Sequence, residues 1–407
     1  MSTGHDEKQT FGEMQFDRVS YRENPAYSEN DLKLGLFCQN SAYGGTISHA
    51  PREFEPSIKH NVEISKRADD LGFEMLVPNG TWKGRGGTTD FNGQSMECLT
   101  WAAAMAMETD YAGVFATVHT PLLHPLFAAK QSMTIDHASD GRFALNVVSG
   151  WNDWEIEMFG IKQLEHDRRY DRTAEWTEVY RRYCTEQGFE HEGEFYTVSG
   201  HDEAAERMRG NFTKGGYMRP KPLQEPHPPI MSAGASDAGR NFTSRYADLS
   251  FVPLFDLDEA AKHVENMKDR AEEHGRNRED IQVMTNGFCV MADTKKEAQE
   301  RYEEIIEQGD IDGTHNLMDE IGIGSETFDS DQISAMEERF MTNYGGYPIV
   351  GTPEQVADEL VEISKTGISG MLFVFYDYYH DLQMFGEEVL PLLEAAEVRT
   401  HRRGEPV

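Results

Sequence analysis

Short apolar runs and amphipathic helical segments alternate along most of the chain. Residues 32–37 form an apolar run of strand length, and the next segment places Ile64, Ala68 and Leu71 on one helical face. A second short apolar run covers residues 73–77. Apolar residues at i, i+4 and i+7 indicate an amphipathic helix, whereas short runs without alternation indicate strands buried on both faces. The pattern therefore predicts successive strand–helix units around a parallel sheet.

The alternation continues to the end of the chain. Further strands are predicted at residues 112–118, 142–148, 230–233, 249–252, 281–291 and 371–375. Helices are predicted at 96–107, around 126–133, from 237, through 260–271 and from 353. Thr352, Pro353 and Gln355 have the spacing of a capping box with proline at the first helical position. Eight such units, without a glycine-rich dinucleotide fingerprint, predict an α/β fold: a closed (β/α)8 TIM barrel with insertions.

Three regions fall outside this alternation. Residues 1–30 are polar and aperiodic, which predicts an N-terminal extension. Residues 31–400 are predicted to form a single barrel domain, interrupted at about 151–229 and 309–348. Long segments between barrel units are typical of lids and binding loops, so both insertions are expected near the active site.

The net charge and the hydropathy of the chain argue against some classes of binding partner. The 407 residues carry a net charge of −34 that is spread along the chain, which argues against a partner bound through nucleic-acid phosphates. A diffuse acidic surface is favoured where concentrated salt screens repulsion, so we expect a halophilic host. No apolar run is long enough to cross a membrane and no signal-peptide core begins the chain, so we expect a cytoplasmic protein without membrane partners.

The cysteines and histidines do not predict a metal site. The four cysteines are widely scattered, and the histidines fall into no metal-ligand spacing. We expect buried free thiols, with Cys98 packed in a helix as a small apolar residue. His119, directly after a predicted strand, would face either the substrate or the core.

Polar residues near predicted strand ends are candidates for ligand binding. Asn146 would point an amide into the barrel, or else satisfy only local backbone groups. Arg169 and Tyr170 would bind phosphate or cover a flat heterocycle, or else begin a solvated, ion-paired helix. Ser236 would cap a helix whose free amides suit phosphate, or serve as an ordinary cap. Gly80 lies in a polar turn, where bare backbone would let a planar ring approach.

Together these segments resemble the luciferase-like flavin monooxygenases, within them most closely the branch of the pyrimidine and dimethyl sulfone monooxygenases. The resemblance covers residues from about 34 to 395. It is carried by several motifs in order: Ser-His-Ala-Pro at 48–51, Gly-Gly at 86–87 with Asp-Phe at 90–91, Thr-Ile-Asp at 134–136, Gly-Arg-Phe-Ala-Leu-Asn-Val-Val-Ser-Gly-Trp at 141–151, Arg-Arg-Tyr at 168–170, Ser-Ala-Gly-Ala-Ser-Asp-Ala-Gly at 232–239 and Phe-Gly at 385–386.

The resemblance implies a cofactor site. Gly80 and Thr81 would line the isoalloxazine ring, Asn146 would hydrogen-bond it, and Glu155 would lie beside it. The residues that would hold the ribityl phosphate are Arg169, Tyr170 and Ser236. The sequence assigns no catalytic acid or base, because flavin oxygen chemistry depends chiefly on positioning.

The implied activity is that of a monooxygenase that uses reduced FMN and O2 on a small organic substrate, pyrimidine-like or organosulfur-like. Since the chain has no NAD fingerprint, an NAD(P)H:flavin reductase would supply the reduced flavin. The family implies a homo-oligomer. Two alternatives remain open from the sequence: a deazaflavin-dependent oxidoreductase that transfers hydride, and a flavin-binding protein without turnover.

Overall fold

Eight parallel strands close into a barrel in the computed structural model, which describes residues 18–200, 215–216, 219–253, 255–322 and 330–400. In chain order the barrel strands are Lys33–Phe37, Met75–Val77, Gly113–His119, Phe143–Val148, Ile230–Ser232, Leu249–Phe251, Gln282–Met291 and Gly370–Phe375. They are called the first to the eighth strand below. Neighbours pair in the order six, five, four, three, two, one, eight, seven, and the pairing of strand six with strand seven closes the ring.

Helices surround this barrel and fill the connections. Their bounds are Ile58–Asp70, Cys98–Ala106, Pro125–Ala138, Asp153–Met158, His166–Thr185, Asp237–Tyr246, Leu257–Glu273, Lys295–Glu307, Ile311–Ile321, Ser330–Asn343, Pro353–Ser364, Tyr378–Met384 and Leu390–Ala395. A π-helical turn, Phe385–Val389, joins the last two. Short 3-10 turns cover Tyr21–Glu23, Pro25–Tyr27 and Arg278–Asp280.

The predicted order of strands and helices matches the observed barrel. The capping box also forms: the Thr352 side chain accepts from the amide of Gln355, and the Gln355 side chain accepts from the amide of Thr352. All eight barrel strands are almost completely buried, because the barrel interior lies on one side and the helices on the other.

One strand of the nine-stranded sheet was missed by the sequence pattern. Tyr347–Gly351 pairs in parallel with the outer part of the seventh strand, residues 287–291, and lies outside the closed ring. It begins within the predicted second insertion. Pro348 made this segment a poor strand candidate, but a proline is tolerated at an edge where its missing N–H is not required by a second neighbour.

The described parts of the regions outside the barrel contain regular structure, and some of them pack against the barrel. Residues 19–20 pair with residues 224–225, and the buried Asn24 side chain donates to the Phe143 carbonyl oxygen, so the described part of the predicted N-terminal extension packs on the barrel. The first insertion contains the helix His166–Thr185 and a short hairpin of residues 191–192 and 197–198. The second contains Ile311–Ile321 and Ser330–Asn343.

The described structure can also be examined for its cysteines, for metal-binding clusters and for membrane-spanning helices. Cys38, Cys98, Cys184 and Cys289 are free and buried, as predicted. Among the described residues, no cluster of His, Cys, Asp or Glu could hold a metal ion. In the same part of the chain, no helix is both long and apolar enough to cross a membrane.

Candidate functional site

The predicted cofactor residues lie in or beyond the carboxyl-terminal parts of the second, fourth and fifth strands. In a (β/α)8 barrel these ends form the face that carries the active site. Gly80 and Thr81 lie just beyond the second strand, and Asn146 lies within the fourth. Glu155 belongs to the short helix after the fourth strand, and Ser236 follows the fifth. The barrel topology therefore brings together segments that are far apart in the chain.

Two hydrogen bonds orient the Asn146 amide. The Thr117 hydroxyl donates to the Pro78 carbonyl oxygen at 2.7 Å, which uses its single proton. Its oxygen therefore accepts from Asn146 Nδ2, at 3.1 Å across the paired third and fourth strands. Asn146 Oδ1 is buried and has no hydrogen-bond partner among the described residues. An unsatisfied acceptor in the interior is unfavourable, so this oxygen is ready to accept an N–H from a ligand.

The turn after the second strand packs tightly on the third strand. A Cβ placed on Gly80 would lie 2.7 Å from Thr117 Cγ2, closer than real contacts allow. Glycine is therefore required here by close approach rather than by an unusual φ angle. Thr81 is buried, and its Oγ1 accepts from Asn79 Nδ2 at 2.8 Å.

Glu155 holds the next part of the same turn. Its Oε1 accepts from the backbone amides of Trp82 and Lys83, at 2.8 and 3.1 Å. The residue is buried, and this burial raises the pKa of its carboxyl group, while the two amides and the charge of Arg85 oppose the shift. The contact links the short helix after the fourth strand to the turn after the second.

A second group of predicted residues meets at the start of the helix Asp237–Tyr246. Ser236 caps this helix, and its Oγ accepts from the Gly239 amide at 3.1 Å. A Cβ on Gly239 would lie 2.7 Å from both the Tyr170 hydroxyl oxygen and Gly234 Cα. The helix start is thus bare backbone beside a phenol, and the positive end of the helix dipole favours an anion there.

The acidic residue at this helix start faces away from the phenol. Asp237 Oδ1 pairs with Arg270 Nη2 at 2.6 Å, and its side chain is 80% exposed. The Asp237 carboxylate is therefore held in solvent by its ion pair with Arg270. Its presence in the motif does not oppose anion binding at the buried Gly234 and Gly239.

Arg169 is engaged locally. Its Nε donates to the Leu164 carbonyl oxygen at 2.7 Å, and Nη2 pairs with Asp153 Oδ1 at 3.0 Å. Nη1 lies 3.4 Å from the Gly150 carbonyl oxygen. These contacts tie the start of the helix His166–Thr185 to the segment after the fourth strand, and none of them reaches Ser236.

The sequence did not indicate Arg85 as a site residue. Among the cationic side chains described above, it is the most deeply buried near the barrel mouth. Its guanidinium carbon lies 5.2 Å from the ring centre of Trp151 and 5.6 Å from that of Tyr344. Nε pairs with Glu320 Oε2 at 2.9 Å, and Nη1 donates to Asn92 Oδ1 at 3.2 Å. The only local signal was an arginine between glycines at 84–87 in an acidic chain.

Comparisons with known proteins identify relatives that match most of the chain. A dimethylsulfone monooxygenase of Pseudomonas putida, named as FMNH(2)-dependent, is 27% identical over 371 residues, covering 90% of this chain and 96% of that protein. Pyrimidine monooxygenase RutA of Acinetobacter baylyi is 27% identical over 369 residues, covering 89% and 95%. The crystal structure of long-chain alkane monooxygenase (LadA) shares the fold, with a TM-score of 0.78 at 21% identity over 92% of this chain and 94% of that one.

A family comparison settles the assignment. Residues 32–370 match the family described as luciferase-like monooxygenase, a span that includes the barrel almost to its last strand. The predicted luciferase-like barrel and the predicted monooxygenase class of enzyme are confirmed by this match and by the relatives above. The chain belongs to the luciferase-like monooxygenase family.

Proposed function

We propose that this protein binds reduced FMN at the carboxyl-terminal mouth of its barrel and uses it with dioxygen to oxygenate a small organic substrate. The observation that carries the proposal is the oriented amide of Asn146, whose buried Oδ1 has no partner among the described residues. A flavin ring offers N–H donors to such an acceptor, and the FMN dependence named for a relative across 90% of the chain supports this cofactor.

The ring-binding residues of the proposal are Gly80, Thr81, Asn146 and Glu155. The first two lie in the turn beside Thr117, the residue that orients the Asn146 amide. Glu155 acts as a positioning residue, because its carboxylate holds the amides of the same turn. These residues fit a planar heterocycle that needs close backbone approach and one directed acceptor.

The residues of the proposal at the phosphate end of the site are Tyr170, Ser236 and Arg169. The start of the helix at 237 offers backbone amides, and the Tyr170 hydroxyl beside Gly239 offers a further donor. Arg169 supports this end of the site in a different way, by holding the segment at Gly150 and Asp153 in place.

The chemistry divides between the cofactor and the protein. Reduced FMN, when bound, supplies the two electrons that activate dioxygen. The chain's own residues bind the ring, fix its orientation through Asn146 and exclude water from the mouth. Exclusion is favoured by the ion pair of Arg85 with Glu320, since it fastens the second insertion over the turn after the second strand.

We also propose a setting for this activity. A separate NAD(P)H:flavin reductase delivers the reduced flavin, and the substrate resembles those of the pyrimidine or dimethyl sulfone monooxygenases. The enzyme acts as a homo-oligomer in the cytoplasm of a halophile. The charge of −34 supports a high-salt interior, because salt screens the repulsion that so many carboxylates create.

A single-turnover experiment tests the proposal. Purified protein in concentrated KCl is mixed with reduced FMN under anaerobic conditions, and binding is measured by isothermal titration calorimetry. Isotopically labelled dioxygen is then admitted with dimethyl sulfone or uracil, and label in the product is measured. Labelled product supports the proposal. Binding of reduced deazaflavin alone, without oxygen use, would favour the hydride-transferring alternative, and bound FMN without product from a broad panel would favour a non-catalytic protein.

A further inference from the structure

A cavity opens between the loops that follow the second and third strands. It has a volume of about 390 Å³, and its lining includes Gly80 and Thr81, the two residues proposed to face the flavin ring. Small-molecule pockets commonly have volumes of about 300 to 1,000 Å³. We call this space the lateral cavity. Its size and its shared wall place it where a small molecule would meet the cofactor.

The walls of the lateral cavity are mainly apolar. They are formed by side chains from three loops and two helices: Trp82, Met96, Leu99, Leu122, Phe127 and Phe159. The rings of Trp82 and Phe159 meet edge to face at 5.2 Å, and these side chains are 47% and 44% exposed. Aromatic and aliphatic walls favour ligands that remove apolar surface from water.

Two residues of the lining have buried polar atoms without partners among the described residues. His119 is 6% exposed, and its Nδ1 has no hydrogen-bond partner among the described residues. The same holds for Oε1 of Gln131, which also lines the cavity. Burial lowers the pKa of His119 to about 4, with a further contribution from the charge of Arg85. The imidazole is therefore neutral near pH 7 and offers one hydrogen bond to a bound molecule.

The charges around the cavity select an uncharged ligand. Among the described residues of the lining, Glu97 is the one charged residue, and none of them is Lys or Arg. The Glu97 carboxylate is already engaged, because it accepts from the amides of Leu99 and Thr100 at 3.0 and 2.8 Å. An anion would find no counter-charge there. A cation would compete with the helix cap for the same oxygens.

We propose that the lateral cavity is the substrate site, and that its substrate is an uncharged molecule with one hydrogen-bonding group directed at His119 and an apolar remainder among the aromatic walls. This inference rests on the proposed function, since it names the substrate class for the flavin site beside it. It extends that proposal by assigning Leu122, Phe127, His119 and Gln131 to substrate recognition.

A ligand series tests the substrate class. The FMN-bound protein is titrated by calorimetry with dimethyl, diethyl and dipropyl sulfone, and with propanesulfonate as the anionic counterpart. Affinity should rise about fourfold for each methylene that becomes buried. The sulfonate should bind at least about tenfold more weakly than diethyl sulfone, which has the same number of non-hydrogen atoms, and this factor is equivalent to about 1.4 kcal/mol. Equal affinities along the series, or tighter binding of the sulfonate, would overturn the inference.

Cavity variants test the location. Leu122→Trp should fill the cavity and lower dipropyl sulfone affinity by about tenfold or more, whereas Ile58→Trp, at an exposed position outside the lining, should not change it. His119→Phe keeps the bulk but removes the hydrogen bond, so it should weaken sulfone binding, and His119→Gln should restore part of the loss. Unchanged affinity in both Leu122→Trp and His119→Phe would refute the assignment.

Flavin binding is measured in parallel. A failure of the proposed function can then be distinguished from a failure of the substrate-site proposal. Quenching of FMN fluorescence should persist in Leu122→Trp and Ile58→Trp, which shows that the variants are folded. If the wild type does not bind FMN, the proposed function is wrong, and sulfone titration of the flavin-free protein still tests the cavity. If FMN binds but no neutral sulfone does, the cavity assignment alone is wrong.

Discussion

Arg85 Nε lies 2.9 Å from Glu320 Oε2 in an ion pair whose side chains are 1% and 6% exposed. The two residues belong to different parts of the chain: Arg85 to the turn after the second strand, and Glu320 to the helix Ile311–Ile321 of the second insertion. Asn316 of the same helix adds to this junction, because its Nδ2 donates to the carbonyl oxygen of Arg85 at 2.7 Å. A buried pair of this kind specifies which two segments meet, more than it adds stability.

Glu320→Gln should change the pH dependence of stability. Burial raises the pKa of Glu320 from 4.5 to about 7, although Arg85 opposes the shift. Between these values the folded state binds the proton more tightly than the unfolded state, so this group lowers stability as pH rises. The unfolding free energy of the wild type should therefore fall relative to the variant, by at most about 1.4 kcal/mol per pH unit. Urea denaturation across this range measures it.

Asp312→Asn is the matched control for that experiment. It lies on the same helix but is exposed. Its stability curve should run parallel to that of the wild type. If Glu320→Gln also runs parallel, the carboxyl group does not titrate as proposed.

Thr117→Val should weaken binding of the flavin ring. The substitution removes the hydroxyl that orients Asn146 Nδ2, so the amide is free to turn its Oδ1 away. Affinities for FMN and riboflavin should both fall by about tenfold, equivalent to about 1.4 kcal/mol, a typical hydrogen-bond effect. Fluorescence quenching measures both. Thr100→Val, on an exposed helix face, should leave them unchanged, and a loss confined to FMN would contradict the assignment of Thr117 and Asn146 to the ring.

Ser236→Ala should separate a helix cap from a phosphate site. Ser57 caps the helix Ile58–Asp70 in the same way, accepting from the His60 amide. Loss of either cap should lower the unfolding free energy by about 1 kcal/mol. Only Ser236→Ala should weaken FMN, because only that helix start lies beside Tyr170. Equal FMN affinity in the two variants would reduce Ser236 to an ordinary cap.

Arg169→Ala should weaken FMN more than riboflavin if the guanidinium reaches the phosphate. Its present contacts are to Leu164, Gly150 and Asp153, which favour a supporting role. Equal losses for the two flavins would assign Arg169 to holding that segment in place. Arg168→Ala is the control, since the neighbouring side chain pairs with Asp171 and Glu194 at the surface and should affect neither flavin.

Salt should stabilise the fold. The net charge of −34 makes the compact state self-repelling, and the Debye length shortens from about 10 Å at 0.1 M salt to about 3 Å at 1 M. The thermal midpoint should therefore rise over this range of KCl. A flat or falling midpoint, measured by circular dichroism, would contradict adaptation to high salt.

Much of the barrel was predictable because its signals are local. Caps such as Ser236 and the Thr352–Gln355 box form within one helical turn, so their residues act on neighbours in the sequence. Buried parallel strands are also recognisable in the sequence, because they form continuous apolar runs. The strand Tyr347–Gly351 was not predicted because Pro348 is acceptable in a strand only at the edge of a sheet. That edge exists only after the seventh strand is in place.

The site was less predictable, because its key contacts join distant residues. The sequence by itself determined the strands, the helix caps and the positions of Asn146 and Ser236 at strand ends, since these depend on periodicity and nearest neighbours. Only the tertiary structure decided that Thr117 directs the Asn146 amide and that Arg85 meets Glu320. Such pairings arise when barrel closure and the insertions bring remote segments together, and buried polar groups must then find partners in that arrangement.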